Sequence, residues 1–199
     1  MDSKVGRRER KKAATRNHIA EVALRLFVEH GYDKVGMRDV AEEADVAVTT
    51  VFAHFASKEA LVFDQDEHHE ERLVGAVANR SPDQPLLNAL RAEVLNAARW
   101  FSTPESTSFW TLVESSAALR GYASHMQARH EQALVAAIAS DPEAPTSATA
   151  CRALARCTLD VYSLARDAEN PLAAVEEIFD LIEPGFAPAA GRQPAKPLE

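Results

Sequence analysis

Thr49 and Ala53 stand four residues apart, as do Thr50 and His54, while Val48, Val51, Phe52 and Phe55 fall at i, i+3, i+4 and i+7. On a helix the second set forms an apolar stripe. The first set forms another face that is small, polar and nearly uncharged. Short side chains let a helix backbone approach the floor of a DNA major groove. A Thr there can meet a base edge, a thymine methyl or a phosphate. Lys58 adds a cation beside a helix N-terminus, and both features favour phosphate. Arg38, near the start of the preceding helix, is a further phosphate candidate. Periodicity alone leaves a blander reading open: a capped helical hairpin with a solvated Thr/His face.

Other chemistries find less support. His68 and His69 lie near Asp64, Asp66 and Glu67, but no second His/Cys cluster has ligand spacing, so no metal is expected. Cys151 and Cys157, six apart, fit neither a metal motif nor a disulfide framework, which suits a reduced, cytoplasmic setting. No Ser/His/Asp spacing or Gly-rich phosphate loop points to catalysis, so neither an enzyme nor a cofactor is expected. The rival class is a small-molecule-binding helical protein without DNA function. It would show no salt-sensitive duplex binding.

The net charge of −8 conceals an asymmetry. Residues 1–16 carry seven Lys/Arg, among them Arg7, Arg8, Lys11 and Lys12, against Asp2 and Glu9. Residues 63–199 carry 11 basic and 20 acidic residues. A basic end on an acidic body is what a local polyanion contact requires, although a solubilising tail has the same composition. With a pI near 5.4 the whole molecule repels DNA at long range, so capture falls to the arm at Arg7–Lys12.

The elements that must position these residues are helical throughout. Apolar residues make up 46% of 199, with 7 Gly and no strand pattern, which implies an all-α fold. No apolar run reaches the length of a membrane span, and no signal peptide is visible. Residues 1–8 are expected to be disordered. Nine helices are expected, at about 10–30, 36–44, 48–54, 58–79, 86–102, 105–117, 119–140, 146–168 and 171–183. Gly31 ends the first, Asp45-Val46-Ala47 forms a tight turn before the third, and Ser57 caps the fourth. Three short segments give way to one long helix, the layout of a helix-turn-helix unit. The expected division is an arm and DNA-binding domain at 1–57, a second domain at 58–185 and a disordered tail at 186–199.

The run NHIAEVALRLFVEHGYDKVGMRDVAEEADVAVTTVFAHFASKEALVF, residues 17–63, resembles the DNA-binding domain of TetR-family transcriptional regulators. The likeness rests on Ala23–Phe27, Gly31-Tyr32, Arg38–Ala41, Ala44, Val46, Thr50–Phe52, His54-Phe55 and Ser57–Leu61. It implies that residues 48–54 are the recognition helix, with contacts at Thr49, Thr50, His54, Lys58 and Arg38; Ala53 shares the small face offered to DNA. Three positions depart from the family pattern. Ala47, Phe52 and Gly36 lack hydroxyls that relatives usually carry, so Phe52 is read as packing and the arm as partial compensation. Stretches beyond residue 63 resemble the actinobacterial branch that contains mycofactocin-system regulators, which would suggest an acyl-CoA or other lipophilic effector.

The same resemblance implies a ligand-responsive repressor that binds double-stranded operator DNA with two-fold symmetry. It implies an effector pocket framed by the middle helices. Its candidates are Phe63, His69, Arg72, Trp100, Phe101, Phe109, Trp110, Tyr122 and Met126, although these aromatics could equally be core. It implies a homodimer built by the last two helices. Their stripes are Leu154, Val161 and Leu164 on one, and Leu172, Val175, Ile178, Phe179 and Ile182 on the other. Either stripe, taken singly, also fits ordinary core.

Overall fold

The computed structural model describes residues 2–186, with side chains from residue 6 onward except at 66 and 67. Every regular element among them is helical. The order is α1 (Asp2–His30), a 3-10 turn (Tyr32–Lys34), α2 (Met37–Glu43), α3 (Val48–His54), α4 (Glu59–Val62), α5 (Asp66–Ala78), α6 (Leu86–Phe101), α7 (Pro104–Ser115), α8 (Ala117–Ala139), α9 (Ala148–Arg166) and α10 (Pro171–Phe186). No helix among the described residues is long and apolar enough to cross a membrane.

Packing divides the chain into two compact units, and not at the expected 57/58 boundary. One unit holds residues up to His69 together with Pro104–Met126; the other holds Glu70–Thr103 and the residues from Gln127 onward. In the first unit α1 packs on α2, α4 and α7, and α2 packs on α3. Its core is built on Ile19, Ala23, Phe27, Val40, Val51, Phe55, Leu61 and Leu119, all essentially without solvent exposure. In the second unit α6, α9 and α10 pack on one another around Leu90, Val94, Leu134, Ile138, Leu154, Val161, Val175 and Phe179.

Three boundaries differ from expectation. The first residues do not form a disordered arm: α1 starts at Asp2. The segment is rich in Arg, Lys and Glu, which are good helix formers. The Arg10 Nε–H also donates to the Gly6 carbonyl one turn back, at 3.0 Å. The long helix expected from 58 to 79 is broken at 63–65, separating α4 from α5. Neither Pro nor Gly marks that break. Asp64 is instead drawn into an ion pair described below. At the C-terminal end, α10 runs through Pro184 to Phe186. The tail expected at 186–199 lies, but for its first residue, outside the described residues.

Gly31 closes α1. Its φ of 90° belongs to the left-handed region, and its N–H donates to the Phe27 carbonyl at 2.9 Å. The chain then turns so that Tyr32 is buried. The turn before α3 uses Asp45 at φ 50°, a conformation that a short Asp side chain tolerates.

The second unit depends on a polar clamp between two loops. The Arg80 guanidinium donates to both carboxylate oxygens of Asp141, at 2.8 and 2.6 Å, and to the Gln84 carbonyl. Glu143 lies 3.2 Å from the same guanidinium and accepts from the Leu86 N–H at the start of α6. The Arg80 hydrogen bonds hold the Asp141 carboxyl below its ordinary value despite burial. Asp141→Ala is expected to destabilise the fold by about 1–3 kcal/mol, because it strands a shielded guanidinium. Melting temperatures across a pH series check this. The wild-type advantage is full above about pH 4 and disappears as acid titrates Asp141 through its lowered native value.

Candidate nucleic-acid interface

A seven-residue helix has few contacts with which to hold itself, and α3 is buried along one narrow edge. Val51 and Phe55 are almost fully buried, Val48 is half-buried, and Thr49, Phe52 and Ala53 are exposed. At 100° per residue Phe52 lies about 100° around the helix from Val51 and about 60° from Phe55. The apolar stripe of the sequence is therefore one residue wider than the buried edge. Phe52, expected to pack, has 57% of its surface open to solvent. Thr50 and His54 flank the open face and are half-buried.

Arg16 of α1 holds the C-terminal end of α3. Its Nη1 donates to the His54 carbonyl, a group that the helix itself leaves without a partner. The guanidinium carbon lies 4.5 Å from the centre of the Phe55 ring. Its Nε sits 2.7 Å from Asp64, whose side chain is only 9% exposed. One residue thus ties α1, the end of α3 and the break between α4 and α5. In the sequence Arg16 stands out only as part of the basic arm. Its spacing of 38 residues from His54 and 48 from Asp64 leaves no local signal.

Burial keeps the His54 imidazole below its ordinary pKa, and the positive charges of Arg16 and Lys12 add to the effect. His54 Nδ1 is buried without a hydrogen-bond partner in the structure.

The expected cations divide into two kinds. Arg38 is exposed near the start of α2. Arg7, Arg8, Lys11 and Lys12 are exposed on α1, and their spacing puts them on one face of that helix. Lys58 turns inward. Its ammonium donates to the Tyr32 carbonyl, lies 3.9 Å from the centre of the Tyr32 ring, and is pushed toward neutrality by burial. The Tyr32 hydroxyl in turn donates to Glu59 at 2.8 Å. Lys58 thereby joins the turn after α1 to the start of α4 and is not displayed as a free cation.

The effector candidates fall into both units. In the first, Phe63 stacks on Tyr122 with centroids 5.1 Å apart and meets Phe109 edge-on at 5.7 Å. Trp110 packs edge-on against Phe109, and Met126 lies against the same core. His69 is half-buried in this unit. In the second unit Arg72 pairs with Glu93, Phe101 packs edge-on to Tyr162, and Trp100 is 40% exposed. The dimer candidates also split. Leu154, Val161, Val175 and Phe179 belong to the unit's own core, and Ile178 and Ile182 pack partly against it. Leu164 and Leu172 are exposed, as is Leu181 at 73%, which the stripes did not include. No cluster of three or more His, Cys, Asp or Glu suited to a metal occurs among the described residues.

Residues 19–64 match the domain family described as bacterial regulatory proteins, tetR family. The chain is 37% identical over 94 residues to a protein of Mycobacterium tuberculosis named as the mycofactocin biosynthesis transcriptional regulator MftR. That match covers 47% of this chain and 46% of that protein, so the chain spans about half the length of that relative. It is 32% identical over 133 residues to the HTH-type transcriptional repressor Rv1474c of the same organism, covering 61% of this chain and 68% of that protein. Among solved structures, Salmonella enterica GusR shares the fold with a TM-score of 0.61 at 15% identity, over 86% of this chain and 94% of that one.

Two outcomes test the geometry of α3. Arg16→Ala leaves Asp64 shielded from water without its cation and frees the His54 carbonyl. A loss of about 1–3 kcal/mol is expected, and Asp64→Asn should recover part of it in a double-mutant cycle. For His54 the native value is lowered, so the unfolded chain takes up the proton first as pH falls below about 6.5. The fold should therefore lose stability between about pH 7.5 and 5.5 more steeply in the wild type than in His54→Gln, as read by thermal melting.

Proposed function

Because the chain belongs to the TetR family of bacterial regulatory proteins, we propose that it is a cytoplasmic, ligand-responsive transcriptional repressor, acting as a homodimer on a palindromic operator. The observation that carries this reading is the open face of α3. It lies inside the matched stretch, anchored from behind by Val51, Phe55 and Arg16 and accompanied by exposed cations on α1 and α2.

In this reading Thr49 and Ala53 face the groove, with Thr50 and His54 at its edge. Arg38 and the α1 cations Arg7, Arg8, Lys11 and Lys12 take phosphates. Lys58 acts indirectly, by fixing the start of α4 against Tyr32. The second unit supplies the dimer contact through what it leaves uncovered on α9 and α10, where Leu164, Leu172 and Leu181 lie exposed. A two-fold operator requires recognition helices about one DNA turn apart, roughly 34–36 Å, or a multiple of it. A small lipophilic effector, with acyl-CoA the leading class, would change that separation and release the DNA. The aromatic side chains Phe63, Phe109 and Tyr122, packed on one another in the first unit, are the apolar groups against which such a ligand would insert. No catalytic role is assigned.

The test is a titration of the protein's own upstream DNA at several salt concentrations. Binding should weaken linearly in log salt. Changing Arg7, Arg8, Lys11 and Lys12 together to Gln should lower the slope by about 0.9 for each phosphate that is no longer neutralised, up to about 3–4 in all. Addition of an acyl-CoA should release the DNA. Duplex binding that is absent at low salt would instead favour a small-molecule-binding protein without DNA function.

A further inference from the structure

Phe52 is the residue whose placement departs from the helical pattern, and the departure is informative. The packing of α3 is complete without it, since Val51 and Phe55 fill the core and Val48 covers the edge. The ring is left standing on the outer face, one turn from Thr49 and beside Ala53. These three residues present a phenyl ring, two methyl groups and a single hydroxyl. The face can offer at most one side-chain hydroxyl for hydrogen bonding where it is most exposed.

A face of that chemistry matches one feature of the major groove. Base pairs present donors and acceptors there, but only thymine presents a methyl group, on C5. A phenyl ring has no donor for a phosphate oxygen, so Phe52 is not placed to bind the DNA backbone by hydrogen bonding. Phosphate attraction is available elsewhere, from the exposed Arg38 and from α1, whose Lys12 and Arg16 charges act on His54 at the end of α3, and such cations favour a polyanion over an apolar protein partner. We propose that Phe52, with Thr49 and Ala53, reads the 5-methyl group of thymine in each operator half-site. Specificity along this helix then comes from methyl contact more than from hydrogen bonds. This inference rests on the DNA-binding reading above and adds to it the chemical group that is recognised.

Uracil is the probe, because it keeps the O4 acceptor and the pairing of thymine and lacks only the methyl. The full-length protein is first used to select its preferred duplex from a random pool. Each thymine of a half-site is then replaced singly by uracil. Burial of one methyl predicts about a four-fold loss of affinity at one or two positions, and roughly the square of that when both half-sites are changed. Phe52→Ala should weaken binding to the thymine duplex and abolish the difference between thymine and uracil at those positions. Phe52→Leu should retain part of it. Because the ring is exposed, both variants should melt like the wild type, which separates lost recognition from lost folding.

A selected duplex that binds with no thymine-to-uracil effect at any position overturns the inference and leaves the DNA-binding reading standing. So does an effect of equal size in Phe52→Ala. Failure to select any duplex with salt-dependent affinity overturns both.

Discussion

Two turns of helix are too short to be stable in water, so the position of α3 is set entirely by what holds it from behind. That constraint governs much of the first unit. Val51 and Phe55 give the helix a buried edge, and Arg16 satisfies the carbonyl at its end while lying over Phe55. The same guanidinium is held by Asp64, which lies where the chain leaves helical geometry at 63–65. The break, the ion pair and the anchored helix are one arrangement. Anchoring the helix from one side alone leaves its outer face free of packing duties.

Charge is arranged on the same principle of local against global. The molecule carries a net −8, and its long-range field opposes a polyanion. Within about a Debye length, 8–10 Å at ordinary salt, the local array decides. As a disordered arm, residues 7–12 would offer cations at fluctuating positions. As part of α1 they are fixed along one helical face. The ordering entropy is then met on folding and not on binding, which favours affinity for a surface of matching spacing.

What the sequence made legible was what local rules govern. The bounds of α3, the turn at Gly31 and the start of α10 at Pro171 follow from periodicity and from residues with fixed backbone preferences. The all-helical fold follows from composition. What it left illegible is long-range. Lys58 turns inward because Tyr32, 26 positions earlier, offers a carbonyl and a ring face. Asp64, at a helix break with neither Pro nor Gly, pairs with Arg16 from 48 positions away. Phe52 departs from its pattern for a different reason. In a two-turn helix the buried arc is narrower than the stripe a longer amphipathic helix would show.

The C-terminal helices show why a stripe cannot distinguish core from interface. α9 and α10 each bury one side within their own unit, and the residues that periodicity offers as a dimer seam are largely that buried side. On α10 the next face is engaged as well. Glu176, Asp180 and Glu183 all approach the guanidinium of Arg91 on α6, at 2.9–3.1 Å. That network fixes α10 against α6 with polar contacts at the border of the core. Among the described residues, α9 and α10 leave Leu164, Leu172 and Leu181 exposed. Apolar anchors ringed by polar groups are the anatomy of an interface that forms between folded partners, unlike a core that forms during folding. If the chain pairs with itself through these leucines, the helical pattern names two of them, Leu164 and Leu172, and misses Leu181, since the pattern detects burial and the chain's own core has already used most of it.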